Sequence, residues 1–336
     1  DIVNFAAEYQ NVPTLAADDR LFDCIRSLEC QTFRNFELVI VDNSGQRLVR
    51  ARGLVPAGAR VIEQDRNTGF GAAVNAACRS SQAPYLAVLN DDAVAHPGWL
   101  AALLEAMERR PDAGMAASQV RLYGEEHLDS CGMLVCRDGS SKQRGHLRRP
   151  EDFPVEEEVL FPSGSAALYR RAMLEETGLF DERFFLYCED TDLGLRARWL
   201  GWRCLYVPEA VVEHRYSHSA GRASPLKAYY VERNRLFVLV KNFPASMLAA
   251  APLVAAARYG WHLAAMLAGR GSAARFREGH SGWRMAFYVL KAHAALLRRL
   301  PELWQDRRGL LRRARLSPAS PPSVSPSVPS APPSPR

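Results

Sequence analysis

Residues 85–93 read YLAVLNDDA, and this stretch narrows the possible folds most. Five apolar residues without a helical stripe, aromatic and β-branched side chains among them, suit a strand buried on both faces, the habit of parallel sheets. The run then stops at Asn90, Asp91 and Asp92. Oxygen ligands at the carboxyl end of such a strand lie where open α/β sheets bind ligands, and hard divalent cations that bridge phosphates take ligands of this kind. Taken alone, Asn-Asp-Asp is equally a polar turn that caps the next helix.

The flanking sequence repeats the pattern. Residues 2–5 read as the end of a first strand, followed by a polar segment and a helical pattern on Leu21, Phe22, Ile25 and Leu28. A second apolar run, ELVIV at 37–41, ends in Asp42, Asn43 and Ser44. A short strand at 60–62 precedes Asn67-Thr68-Gly69-Phe70-Gly71, which opens a helix with Ala73, Val74 and Ala77 inward. A helix from about 97 carries Trp99, Leu100, Leu103, Leu104 and Met107 on one face, before a last apolar piece at 115–117. Four alternations of strand and helix predict an α/β fold: a Rossmann-like, mostly parallel sheet with helices on both faces. Polar residues after each strand predict loops that converge on one crevice. The 67–71 loop has the glycines of a phosphate cradle but is neither GxGxxG nor a Walker sequence, so a tight turn with an Asn cap competes.

Four segments, in order, resemble the inverting family-2 glycosyltransferases of the GT-A fold, especially bacterial rhamnosyltransferase-like members. They are VDNS at 41–44, NTGFGAAVN at 67–75, LNDDA at 89–93 and FFLYCEDTDLGLRARWLGW at 184–202, and the resemblance covers about residues 36–244. It implies that Asp42 accepts a hydrogen bond from the pyrimidine N–H of a donor nucleotide, with Asn67, Gly69, Asn75, Asn90 and Asp91 as further nucleotide-binding residues. Asp92 falls at the position that binds the cation directly, and Asn90 puts a neutral oxygen where many families have an acid. His214, after the apolar strand at 210–212, falls at the spacing of a metal-binding histidine, and imidazole suits a transition-type cation, so Mn²⁺ or Mg²⁺ is the implied cofactor.

In Tyr187-Cys188-Glu189-Asp190-Thr191-Asp192 the resemblance makes Asp190 the general base and Glu189 its support; without it, acids at a helix start simply cap the helix. Displacement at an anomeric carbon needs one carboxylate to take the acceptor proton and one cation to hold the leaving diphosphate. Asp192 is spaced to pair with Arg196 at i+4. Ser163, Gly164 and Tyr187 are the implied acceptor-binding residues, and Arg222, Arg233 and Asn234 implied diphosphate contacts. The start departs from the family pattern: Asn4 and Phe5 take the place of its nucleotide-contacting strand end, about ten residues further from the helix than expected.

The implied division is a catalytic domain at 1–244, in which 1–118 binds the nucleotide and 119–244 the acceptor, then a basic amphipathic helical extension at 245–316 and a disordered Ser/Pro tail at 317–336. Residues 258–315 hold 13 Lys and Arg against three Asp and Glu in a chain of formal charge +6, so the basic character belongs to the end of the chain. Segment 245–268 has Arg258 near its centre, which costs about 2.5–3.5 kcal/mol in a bilayer core. Helices that dock on the domain or lie on a membrane surface are therefore expected in place of a span. The seven cysteines (24, 30, 78, 131, 136, 188 and 204) are odd in number, without CxxC pairs, which predicts reduced thiols in a cytosolic compartment. The 336 residues show no signal-peptide pattern and start in what reads as mid-strand, so a trimmed start is expected.

The expected activity is metal-assisted, inverting transfer of rhamnose or a similar sugar from a dTDP- or UDP-sugar donor to a glycan or lipid-linked acceptor. The expected location is cytoplasmic, peripheral at the inner face of the membrane. A catalytically silent sugar-nucleotide-binding protein is the alternative. A nucleic-acid binder is disfavoured, because the basic segment lacks a known recognition module.

Overall fold

Apolar runs at 36–42 and 85–89 alternate their side chains between two cores, as the strand period of two requires. Val39, Val41, Leu86 and Val88 enter one cluster, while Leu38, Ile40, Tyr85, Ala87 and Leu89 enter the other. The computed structural model describes residues 8–15, 19–215, 225–267 and 282–316. Strands β1 (Glu8–Thr14), β2 (Phe36–Asp42), β3 (Arg60–Glu63) and β4 (Tyr85–Leu89) are mutually parallel, in the order β3-β2-β1-β4. Helices α1 (Arg20–Glu29), α2 (Leu48–Ala51), α3 (Phe70–Arg79) and α4 (Trp99–Arg109) connect this half. Residues of α1 and α4 fill one core and those of α3 the other, so the sheet is covered on both faces.

Asn4 and Phe5 lie outside the described residues. The strand at the first position is Glu8–Thr14, which removes the apparent surplus before α1. Its EYQNVPT sequence hid it, because Pro is depleted in central strands. Pro13 is accommodated because pairing with β4 covers only Tyr9 to Asn11.

Beyond β4 come the short strand β5 (Ala93–Ala95), β6 (Ala113–Leu122), β7 (Leu128–Ser130), the hairpin β8 (Met133–Val135) and β9 (Ser141–Gln143), and β10 (Glu157–Val159). Next are β11 (Ala166–Arg170), α5 (Arg171–Thr177), α6 (Glu189–Trp199) and β12 (Arg203–His214). β11 lies antiparallel between β4 and β6, with Leu168 opposite Ala87 on one side and Ala116 on the other. β12 pairs parallel with β6 and antiparallel with β5, setting His214 opposite Ala93. Three strand ends therefore meet at one edge of the crevice. Thr14, Asn90 and His214 stand there although 76 and 124 residues separate them along the chain.

Helices α7 (Pro225–Asn242), α8 (Ala245–Leu267) and α9 (Gly282–Arg313) follow. α9 packs along α7, and its end returns to α6: Leu310 meets Trp199 and Leu200, and the Arg315 N–H donates to the Trp199 carbonyl. Arg307, buried, donates to the carbonyls of Val240 and Phe243. No helix among the described residues is long and apolar enough to cross a membrane. All seven cysteines are free thiols.

Candidate active site

β4 delivers Asn90 to the crevice, and the Asn90 N–H donates to the Ser165 carbonyl, extending the ladder one step past Leu89. Asp91 accepts a bond from the Thr14 hydroxyl at 2.6 Å. Asp92, buried, lies 3.2 Å from Nε2 of His214, and Nδ2 of the Asn90 carboxamide is 3.4 Å from the same nitrogen. Nδ1 of His214 bonds Asp129 of β7 at 2.8 Å. Burial opposes a charge on His214, but the bonds to Asp129 and Asp92 override it and push its pKa up to about 10. Asp129 is held below the usual carboxylate range: burial works against that, and bonds from His146 and His214 outweigh it.

These residues fit a divalent cation of a particular kind. With Nδ1 committed to Asp129, Nε2 is the imidazole atom aimed at Asp92 and Asn90, as an outer-shell carboxylate sets it. Among the described residues no group of three His, Cys, Asp or Glu converges to hold a metal. Asp92 offers a carboxylate, His214 an imidazole once Nε2 gives up its proton, and Asn90 an amide oxygen once its carboxamide, which now turns Nδ2 to His214, rotates; such a partial shell suits an ion that completes its coordination with substrate phosphates and water.

The second cluster opens α6. Oδ2 of Asp190 accepts the Gly164 N–H at 3.0 Å, while Oδ1 accepts the Thr191 N–H at 2.6 Å and the Thr191 hydroxyl at 3.2 Å. Glu189 is buried, and its Oε2 finds no partner among the described residues. Burial, then repulsion from Asp190, pushes the Glu189 carboxyl up to about 8. Burial also raises Asp190, against the N–H groups of Gly164 and Thr191, which favour its anion. Three donors on one carboxylate and none on an oxygen of the other put the pair's proton on Glu189 and the charge on Asp190. Asp192 accepts from Arg196 at 2.8 Å, the expected i+4 pair, and also from Lys241 and Asn242, so its work is internal.

The loop that aims this cluster is held in an unusual shape. Phe185, Tyr187 and Cys188 have φ of +64°, +70° and +64°. Non-glycine residues in the left-handed region are strained by order 1–3 kcal/mol each, and surrounding contacts must impose the shape. Asn234, buried on α7, supplies them by donating to the carbonyls of Phe184, Leu186 and Tyr187. Arg233 donates to the carbonyls of Arg183 and Phe184. Arg233 and Asn234 thus brace the loop where the sequence suggested diphosphate contacts; Arg222 lies outside the described residues.

The remaining sequence-predicted residues divide. Asp42 is 1 % exposed and accepts from the Ser44 N–H, the Ser44 hydroxyl and the Val49 N–H, leaving about one of its four lone-pair sites. Asn67 accepts the Gly69 N–H, Asn43 accepts the Thr68 N–H, and the Phe70 N–H donates to the Phe185 carbonyl. That loop is therefore a tight Asx turn in which the N–H groups of Thr68, Gly69 and Phe70 are already spent on the protein's own oxygens rather than turned to an anion. A Cβ on Gly69 would stand 2.3 Å from the Phe185 oxygen, so glycine is required by the close approach of the 184–188 loop. Asn75, buried, bonds the Phe180 backbone on both sides and Glu182, and is structural.

Residues 163–165 join the two clusters, with the Ser165 carbonyl on Asn90 and the Gly164 N–H on Asp190. Ser163 bonds the Ser165 hydroxyl at 2.9 Å, and the Tyr187 ring lies 5.5 Å from Nζ of Lys227. Thr14, Asp129 and Asn234 escaped sequence reasoning in these roles. A lone acid in Leu128-Asp129-Ser130 carries no local signal, since its partner is 85 residues away.

Comparison with known proteins agrees with this architecture. The family model described as Glycosyl transferase family 2 matches residues 12–178. The N-acetylglucosaminyl-diphospho-decaprenol L-rhamnosyltransferase of Mycobacterium tuberculosis is 32% identical, covering 61% of this chain and 76% of that protein. The glycosyltransferase YwdF of Bacillus subtilis is 27% identical, over 64% of this chain and 74% of its own length. Among solved structures, GalNAc-T7, crystallised with UDP, GalNAc and Mn²⁺, superposes with a TM-score of 0.60 at 14% identity, over 74% of this chain and half of that one, a likeness of fold. The chain belongs to glycosyltransferase family 2, is rhamnosyltransferase-like, and has the GT-A fold.

Proposed function

We propose that this glycosyltransferase moves rhamnose, or a closely similar sugar, from a dTDP- or UDP-sugar to a glycan or lipid-linked acceptor with inversion, at the cytoplasmic face of a membrane. The observation that carries the reading is the junction at 163–165, where one short segment touches both the Asn90–Asp92–His214 cluster and Asp190. The rhamnosyl reading draws on the M. tuberculosis relative, whose name states a lipid diphosphate acceptor and L-rhamnose transfer.

Asp92, His214 and Asn90 would hold a divalent cation, Mn²⁺ or Mg²⁺, which when bound neutralises the diphosphate and improves it as a leaving group. Asp129 keeps Nε2 of His214 turned towards that position. Asp190, ionised, accepts the acceptor hydroxyl's proton as its oxygen attacks the anomeric carbon, while Glu189 stays protonated and adds no second charge beside it. Ser163, Gly164 and Tyr187 border the acceptor's approach. Asp42 has a lone-pair site left for a pyrimidine N–H, and Asp91 borders the donor side.

Donor turnover with Mn²⁺ tests the reading. Asp190→Asn keeps an oxygen for the Gly164 N–H yet cannot take a proton, so kcat falls about 10²- to 10⁴-fold with donor binding retained. Turnover by this variant at the wild-type rate, or none by the wild type with any pyrimidine nucleotide sugar, overturns it.

A further inference from the structure

Between α7 and α9 lies a cavity of about 280 Å³ lined by Arg183, Arg233, Arg298, Arg299, Tyr229 and Phe237, with Ala295 at its edge. Arg183 is answered by Asp181, Asp306 and Glu302, and Arg299 by Glu302. Among the described residues neither Arg233 nor Arg298 has a carboxylate within ion-pair reach, and Asp181 is shared with Lys241. Four guanidinium groups against Asp306 and Glu302 leave the cleft near +2. Arg233 spends Nε on Asn234, one terminal nitrogen on the carbonyls of Arg183 and Phe184, and a further bond on Tyr229, so one of its five N–H donors remains for the cavity. Burial depresses its pKa against the opposing pull of Tyr229 and Tyr230, with a smaller push from Arg299, and no carboxylate among the described residues offsets it.

The neighbouring side of α9 is apolar and exposed. Phe287, Leu290, Leu297 and Trp304 recur at helical spacing, and their exposures run from 48% to 70%. Lys291 and Arg298 each follow a leucine of this row, turning about 100° towards the cleft. A cavity below the usual 300–1,000 Å³ of small-molecule sites fits a headgroup better than a whole ligand. We propose that the Arg233–Arg298 cleft binds a lipid-borne phosphate at a bilayer surface on which the Phe287–Trp304 row of α9 rests. The ligand chemistry is a phosphate or diphosphate ester on an apolar chain, whether a membrane phospholipid or the lipid of the acceptor itself. This rests on the glycosyltransferase reading only for the second source. Since Arg233 also braces the loop before Glu189, an occupied cleft would sit directly behind the base.

The test is cosedimentation of the full chain with three kinds of vesicle: phosphatidylcholine alone, the same with phosphatidylglycerol, and the same with a polyprenyl diphosphate. Binding to either phosphate-bearing type over the neutral one is expected, and the type preferred names the source. Arg298→Gln is expected to lower that partition at least about tenfold. Arg312→Gln, which removes an exposed charge on the same helix outside the cleft, is expected to lower it about fivefold or less, the scale of diffuse attraction per charge. Leu297→Glu is expected to abolish it. Equal losses in the two arginine variants, equal binding to neutral vesicles, or no binding at all would overturn the proposal. Sugar transfer by the wild type is assayed beside cosedimentation, and its absence with every pyrimidine nucleotide sugar would count against the enzymatic reading and leave the vesicle result standing.

Discussion

Glu189 and Asp190 adjoin in sequence and share burial, yet their surroundings assign them opposite protonation states. An acid whose folded pKa lies above its unfolded one binds more protons in the native state, so stability falls as pH rises between the two values. For Glu189 that window runs from the ordinary carboxylate range to about 8. Glu189→Gln is expected to flatten the decline of melting temperature across it, measured by thermal denaturation at stepped pH. Asp190 is raised in the same direction, so if it serves as the proposed base, the acid limb of kcat is expected above the ordinary carboxylate range, activity growing as it loses its proton. At the other cluster, Asp129→Asn weakens the grip on Nδ1 of His214. The Mn²⁺ concentration for half-maximal turnover is expected to rise about 10- to 100-fold, the usual effect of losing an outer-shell partner.

Two elements decide whether these residues meet. β11 runs antiparallel between β4 and β6 and lays 163–165 across the mouth of the crevice. The 184–188 loop is the other, a strained segment held on one side by Gly69 and Phe70 and on the other by Asn234. Asn234→Ala removes the donor shared by three carbonyls. The loop then relaxes, and kcat is expected to fall about 10- to 100-fold, the scale of a misplaced catalytic group, with the donor dissociation constant unchanged. Steady-state kinetics beside donor titration checks this. A fall in donor affinity matching the fall in kcat would show that the loop serves the nucleotide instead.

Over the whole molecule, the C-terminal helices are bound into the catalytic body rather than appended to it. Leu303 of α9 is fully buried in the core that also holds Phe184, Phe237 and Leu193. Leu303→Ala is expected to cost about 2–5 kcal/mol, within the range for buried leucines. Urea denaturation followed by both tryptophan fluorescence and circular dichroism is expected to show one transition shifted as a unit. A separate early transition would mark α9 as an independent appendage. The arrangement explains how a segment with a local charge of +10 both packs and stays exposed. Arg307 and Leu303 face inward, while Leu290, Leu297 and Arg298 do not.

Much of this was legible before any coordinates. Apolar period, strand-terminal acids and helix-opening turns are properties of short windows, so the α/β alternation, the i+4 pair of Asp192 with Arg196 and the strand-end Asp92 could be named from local pattern, whereas Asp190 and His214 stand out only through the family resemblance. The turn at 67–71 was readable only as a choice, because its amides go to Asn43 and Phe185, far along the chain. The first strand was misplaced to 2–5 since a polar, proline-bearing segment at Glu8–Thr14 becomes a strand only through its neighbours. Tertiary structure alone decided the insertion of β11, the hold of Asp129 on His214 and of Asn234 on the loop. Each is a contact between residues far apart in the chain or a ladder between distant strands, and strand order and long-range hydrogen bonding leave no period in the sequence.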